Sequence, residues 1–147
     1  CTMENWNRVI AVDLTGTFSC MRYQIPAMIA AGGGSIVNCA SVAGLRAGPT
    51  VPAYTAAKHG VVGLTRVAAR EYAGHGIRIN AICPGTVDTP MFRRSMPPDA
   101  VTTLVSNTPV GRLAEASEIA DIALWLCDDA PGFLTGQAIA VDGGVGA

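Results

Sequence analysis

Lys58 is the single lysine among the 147 residues, and it stands four positions after Tyr54. On a helix this spacing puts both side chains on one face, so the ammonium can lie beside the phenol and favour its ionised form. A phenol assisted in this way can give or take a proton near neutral pH. Taken alone, the pair reads equally well as a tyrosine and a lysine lying along an amphipathic helix. Ser41 adds weight to the chemical reading. It lies thirteen residues before Tyr54 and directly follows Ser35 to Ala40, a short and nearly continuous apolar run. Parallel strands covered on both faces need such a run, and ligand-binding residues gather at their carboxyl ends.

The elements that must position these groups follow from periodicity. Trp6, Val9, Ile10, Phe18, Met21, Ile25 and Met28 recur at steps of mostly three and four, which predicts a helix from Met3 to about Ala31, kinked at Pro26 and stopped by Gly32 to Gly34. The strand 35–40 comes next, then a loop through Gly44, Gly48 and Pro49. Helical spacing resumes from Pro52 to Tyr72, with Val61, Leu64, Val67 and Ala68 along one stripe and Gly74 and Gly76 beyond its end. Ile77 to Cys83 is the next strand. A Pro-rich connection holds Met91, Phe92, Pro97 and Pro98, with a short helix near Ala100 to Ser106, before a helix over Ala116 to Cys127 and a last strand, Gln137 to Val141. Alternation of this kind predicts right-handed crossovers and an α/β, doubly wound parallel sheet in one domain over residues 1–147.

Composition narrows the function classes. Half the residues are hydrophobic and 14% charged, and a net charge of −1 supplies no basic field for nucleic acid or an anionic membrane surface. The uncharged run from Tyr23 to Leu45 is broken by Pro26 and three glycines, which argues against a membrane span. Five cysteines without a C-x-x-C pair, mostly within apolar stretches, predict reduced, buried thiols and a cytoplasmic location. His59 and His75 have no partner at ligand spacing, so no metal site is expected. Arg93 and Arg94 read as part of a solvated loop.

Five blocks, GGGSIVNCASVAG, AYTAAKHGVVGLTR, GIRINAICPGTVDTPM, PVGRLAEASEIADIALWL and TGQAIAVDGG, occur in this order. Together they resemble the short-chain dehydrogenase/reductase (SDR) family over essentially the whole chain. The resemblance implies a Rossmann-like fold and an oxidoreductase that interconverts a ketone and a secondary alcohol by hydride transfer with NAD or NADP. It casts Tyr54 as the proton donor or base, Lys58 as the group that assists Tyr54 and binds the nicotinamide ribose, and Ser41 as the holder of the substrate oxygen. Pro84, Gly85, the backbone of Val87 and the hydroxyl of Thr89 would hold the nicotinamide carboxamide. Asp13 departs from the pattern, because the family usually has asparagine there. That residue helps hold a water in a proton relay, largely through its main-chain carbonyl, so Asp13 is expected to act mainly through its backbone.

The Gly-rich dinucleotide turn of the family does not occur in the chain. The segment therefore corresponds to a C-terminal portion lacking the first strands and helices, and the choice between NAD and NADP is not readable. By the same resemblance the two long helices build a homodimer or homotetramer, around a small-molecule carbonyl or alcohol substrate bound near an apolar lid from Met91 to Arg112. A rival reading is a catalytically incompetent piece that only folds or dimerises.

Overall fold

A computed structural model describes residues 1–47 and 50–147, so the expected loop at Gly48 and Pro49 lies outside the described residues. The chain opens with α1 (Met3–Val9), a π-helical segment (Ile10–Thr15) and α2 (Gly16–Ala30), followed by β1 (Gly34–Cys39) and α3 (Pro52–Tyr72). Then come β2 (Ile77–Pro84), β3 (Val87–Asp88), α4 (Pro90–Ser95) and α5 (Pro98–Ser106). β4 (Ala114–Glu115), α6 (Ala116–Cys127) and β5 (Ala138–Val141) complete the order.

β1, β2 and β5 form a parallel sheet in that order, with Ile36 opposite Ile79 and Ile82 opposite Ile139. Helices cover both faces. Ile77 and Ile79 of β2 meet Met21 and Ile25 of α2 and Ala68 and Ala69 of α3, whereas Ile82 meets Leu126 of α6 on the opposite side. Strand alternation explains the division, since successive side chains point to opposite faces. The crossover α3 lies close because small residues, Ala53 and Ala57, occupy its inner face beside Val61. Two buried amides are satisfied: Asn38 donates to Thr65 Oγ1 at 2.9 Å, and Asn80 donates to the Leu134 carbonyl and accepts from the Gln137 N–H. The second pair pins the turn before β5 to β2, which sits centrally.

Several expectations need correction. The first helix runs without a gap from Met3 to Ala30, with Pro26 inside α2, but its hydrogen-bonding pattern turns π-helical over Ile10–Thr15, which apolar spacing does not predict. Apolar spacing misses it because a π-helical turn is a short insertion within an otherwise α-helical run and leaves no periodic pattern of its own. β1 runs one residue earlier than expected and alternates in burial, as suits its place at one side of the sheet, and β5 begins at Ala138. On α3, Val61 and Ala68 are buried as expected, but Leu64 is half-buried and Val67 exposed. Of the five free cysteines only Cys83 is buried. A place within an apolar stretch of sequence does not by itself bury a side chain, since neighbouring positions of a helix or strand face different ways. The glycines do stop α2 as expected: Gly33 has φ +137°, and a Cβ there would stand 2.7 Å from the Gly76 carbonyl oxygen.

Candidate active site

The three parallel strands end on one side, and the sequence residues gather there. β1 delivers Ser41 just past Cys39, α3 begins with Tyr54 in its first turn and Lys58 one turn on, and β2 delivers Pro84 and Gly85. Pro52 opens α3 at a position where its missing N–H costs nothing. Lys58 is buried, and its Nζ lies 5.4 Å from the centre of the Tyr54 ring, which is itself partly open to solvent. The same ammonium donates to the Cys39 carbonyl at 3.1 Å and pairs with Asp13 Oδ1 at 3.1 Å. Asp13 therefore meets Lys58 through its carboxylate. Its main-chain carbonyl accepts from the Thr17 hydroxyl at 2.9 Å, so the expectation that Asp13 acts mainly through its backbone does not describe this contact.

Ser41 is buried and caps the short 3₁₀ turn Val42–Gly44, its Oγ accepting from the Ala43 N–H at 3.1 Å. The hydroxyl hydrogen remains available to a ligand oxygen. Gly44 sets the spacing between this turn and α3. A Cβ on it would stand 2.6 Å from the Lys58 carbonyl oxygen, a distance no side chain tolerates against backbone. The sequence offered Gly44 only as a loop glycine, and its role depends on a partner fourteen residues away.

At the end of β2, Gly85 donates its N–H to the Val141 carbonyl, and a Cβ there would meet Asp142 Cα at 2.9 Å. The Pro84-Gly85 turn thus runs flush against the chain leaving β5. Val87 pairs with Ala114 across the small β3–β4 ladder, and Thr89 Oγ1 accepts from the Phe92 N–H, capping α4 while keeping its own proton to donate. Arg46, from the loop after Ser41, donates to the Val145 carbonyl and ties that loop to the C-terminal turn. Burial pushes the Cys83 thiol up, which keeps it neutral beneath the site.

Residues outside this cluster behave differently. Arg93 forks onto both oxygens of Asp88 and holds its carboxyl below the usual carboxylate range. That engagement leaves less of the guanidinium for a phosphate or an acidic partner. His59 is exposed, with Nδ1 2.9 Å from the Thr55 carbonyl, and His75 lies beside the Tyr72 ring. Among the described residues no group of three His, Cys, Asp or Glu is arranged to hold a metal ion.

The family described as enoyl-(acyl carrier protein) reductase matches residues 1–146. A 2,5-dichloro-2,5-cyclohexadiene-1,4-diol dehydrogenase of Sphingobium indicum is 51% identical over 146 residues, covering 97% of this chain and 58% of that protein. A 3-oxoacyl-[acyl-carrier protein] reductase from Brucella melitensis, solved with bound NAD, superposes with a TM-score of 0.89 at 40% identity, over 98% of this chain and 53% of that one. ElxO, solved with NADP bound, gives 0.91 at 32% identity, over 99% of this chain and 59% of that one. The chain belongs to the short-chain dehydrogenase/reductase family. It spans between half and three fifths of the length of these relatives.

Proposed function

We propose that the protein is an NAD(P)-dependent oxidoreductase that interconverts a secondary alcohol and a ketone, and that this segment carries its proton-transfer and nicotinamide-binding half. The observation that carries the reading is the placement of Lys58 beside Tyr54 at the carboxyl end of a parallel sheet, with Ser41 delivered to the same end by β1. Relatives solved with NAD and with NADP support either cofactor. A fit to the nicotinamide half is supported by two donors without an acceptor among the described residues, the third N–H of Lys58 and the Thr89 hydroxyl. Pro84, Gly85 and the backbone of Val87 line the turn on which the carboxamide would rest.

When bound, the nicotinamide supplies or accepts the hydride. Tyr54 gives its phenolic proton to the carbonyl oxygen in reduction and takes the hydroxyl proton in oxidation. Ser41 holds that oxygen within reach of Tyr54, and the Lys58 ammonium stabilises the phenolate and binds the ribose. Met91 and Met96, both exposed on the segment after β3, suit an apolar substrate. The relative acting on a cyclohexadiene diol makes a cyclic secondary alcohol the first substrate to try. Incubating the full-length protein with NAD or NADP and a cyclic diol should yield reduced nicotinamide. No reduction with any cyclic, sugar or hydroxyacyl alcohol would overturn the reading.

A second reading, assembly of this segment without catalysis, draws on a specific surface. Phe18, Ile25, Ile29, Leu64 and Val67 line an apolar groove of ≈ 540 Å³ between α2 and α3. We infer a homodimer or homotetramer built on these helices. Sedimentation at micromolar concentration should return a species larger than the monomer, and a sharp monomer boundary would contradict it.

A further inference from the structure

On the reading that Tyr54 and Lys58 transfer the proton, we propose that the Asp13 carboxylate is a positioning residue, clamping the Lys58 ammonium directly in place of a main-chain relay. An ammonium has three N–H donors. Here Asp13 Oδ1 and the Cys39 carbonyl each take one at 3.1 Å, which leaves the third for the side on which Tyr54 lies. The clamp is built from two elements, since Asp13 comes from the π-helical segment and Cys39 from β1. Fixing two donors aims the third without leaving a flexible four-carbon stem to find its own place.

The charges around Lys58 point to the same role. Among the described residues the ionisable groups placed against it are Asp13 from the π-helical segment, Tyr54 from α3 and the thiol of Cys83 from β2, whereas Cys39 of β1 meets it through its carbonyl. Burial keeps Cys83 neutral, so Asp13 is the one carboxylate among them. The Lys58 side chain is 10% exposed, and a charge that buried needs a counter-charge. The Asp13 carbonyl accepts from the Thr17 hydroxyl at 2.9 Å, apart from the contact that the carboxylate makes with Lys58. Asparagine at position 13 could accept a hydrogen bond from Lys58 but could not balance its charge.

Because Lys58 is the single lysine of this segment, its amine can be followed alone by peptide mass spectrometry after brief treatment of the full-length protein with acetic anhydride. Only the unprotonated, unclamped amine reacts. Asp13→Asn should raise the acylation rate at Lys58 about tenfold and lower kcat by a similar factor. Asp13→Glu, which keeps the charge, should stay within about threefold of the parental rate, and Thr17→Val, which leaves the carboxylate in place, should match the parent. Should the asparagine variant fail to fold, Asp13→Ser gives the same reading. An Asn or Ser variant acylated within about twofold of the parental rate, or a Glu variant as fast as Asn, would overturn the clamp. Acylation does not depend on turnover. An active Tyr54→Phe enzyme would therefore refute the proton-transfer reading while leaving the result at Lys58 to stand or fall separately.

Discussion

The layers around β2 and the arm from Val87 to Glu115 are held together in opposite ways. β2 is buried along nearly its whole length between α3 and α6, and its polar residue Asn80 has both ends of its amide satisfied. The arm returns to the body through the two-residue ladder β3–β4, and each strand of the ladder adjoins an exposed guanidinium–carboxylate fork, Asp88–Arg93 on one side and Arg112–Glu118 on the other. Burial gives large, non-directional stabilisation, whereas exposed ion pairs contribute little and are screened by salt. Proton transfer needs fixed geometry, and Tyr54, Lys58 and Ser41, for which we propose that role, are set on the first kind of scaffold. A segment that must admit a substrate can be built from the second.

Substitutions can sharpen this contrast. Leu126→Ala, at a fully buried position on the α6 face, should cost about 2–5 kcal/mol, read from urea unfolding of the full-length protein. Gly44→Ala should cost about 1–3 kcal/mol, because the added carbon must displace the Lys58 backbone. Activity should fall further than stability explains, since the displaced turn carries Ser41. A variant with parental unfolding and parental kcat would show that the close approach is not needed.

The smallest effect is expected in the arm. The Arg112 fork and the Glu115 N–H hold the Glu118 carboxyl at about 2, below its ordinary 4.5. A depressed carboxylate stabilises the fold above its unfolded-state value, and that contribution disappears as pH falls through the folded-state value. Glu118→Gln should therefore lower the thermal midpoint slightly at neutral pH, and the gap from the parent should close between pH 4.5 and about 2. A gap that stayed constant over this interval would deny the fork any electrostatic part.

Local patterns were readable in the sequence to the extent that local forces decide them. α3 and α6 match their expected bounds because Pro52 opens the one, Gly76 follows the other end of its turn in a left-handed conformation, and Glu115 with Glu118 forms a capping box on α6. The Tyr54–Lys58 relation follows from helical spacing alone. The β3–β4 ladder was not readable, because two-residue strands carry no periodicity and their partners lie far apart in sequence. The ion pair between Asp13 and Lys58 was missed for a similar reason. Nothing near Asp13 signals that a wider helical turn will face its carboxylate towards α3.

The central claim is that Tyr54 transfers the proton from a site this segment builds. Tyr54→Phe in the full-length protein removes the phenolic hydroxyl and keeps the ring, so cofactor affinity measured by calorimetry with NADH and NADPH should hardly change. Steady-state kcat should fall by about two orders of magnitude or more. A variant that binds cofactor as the parent does and keeps more than about a tenth of parental kcat would contradict the assignment.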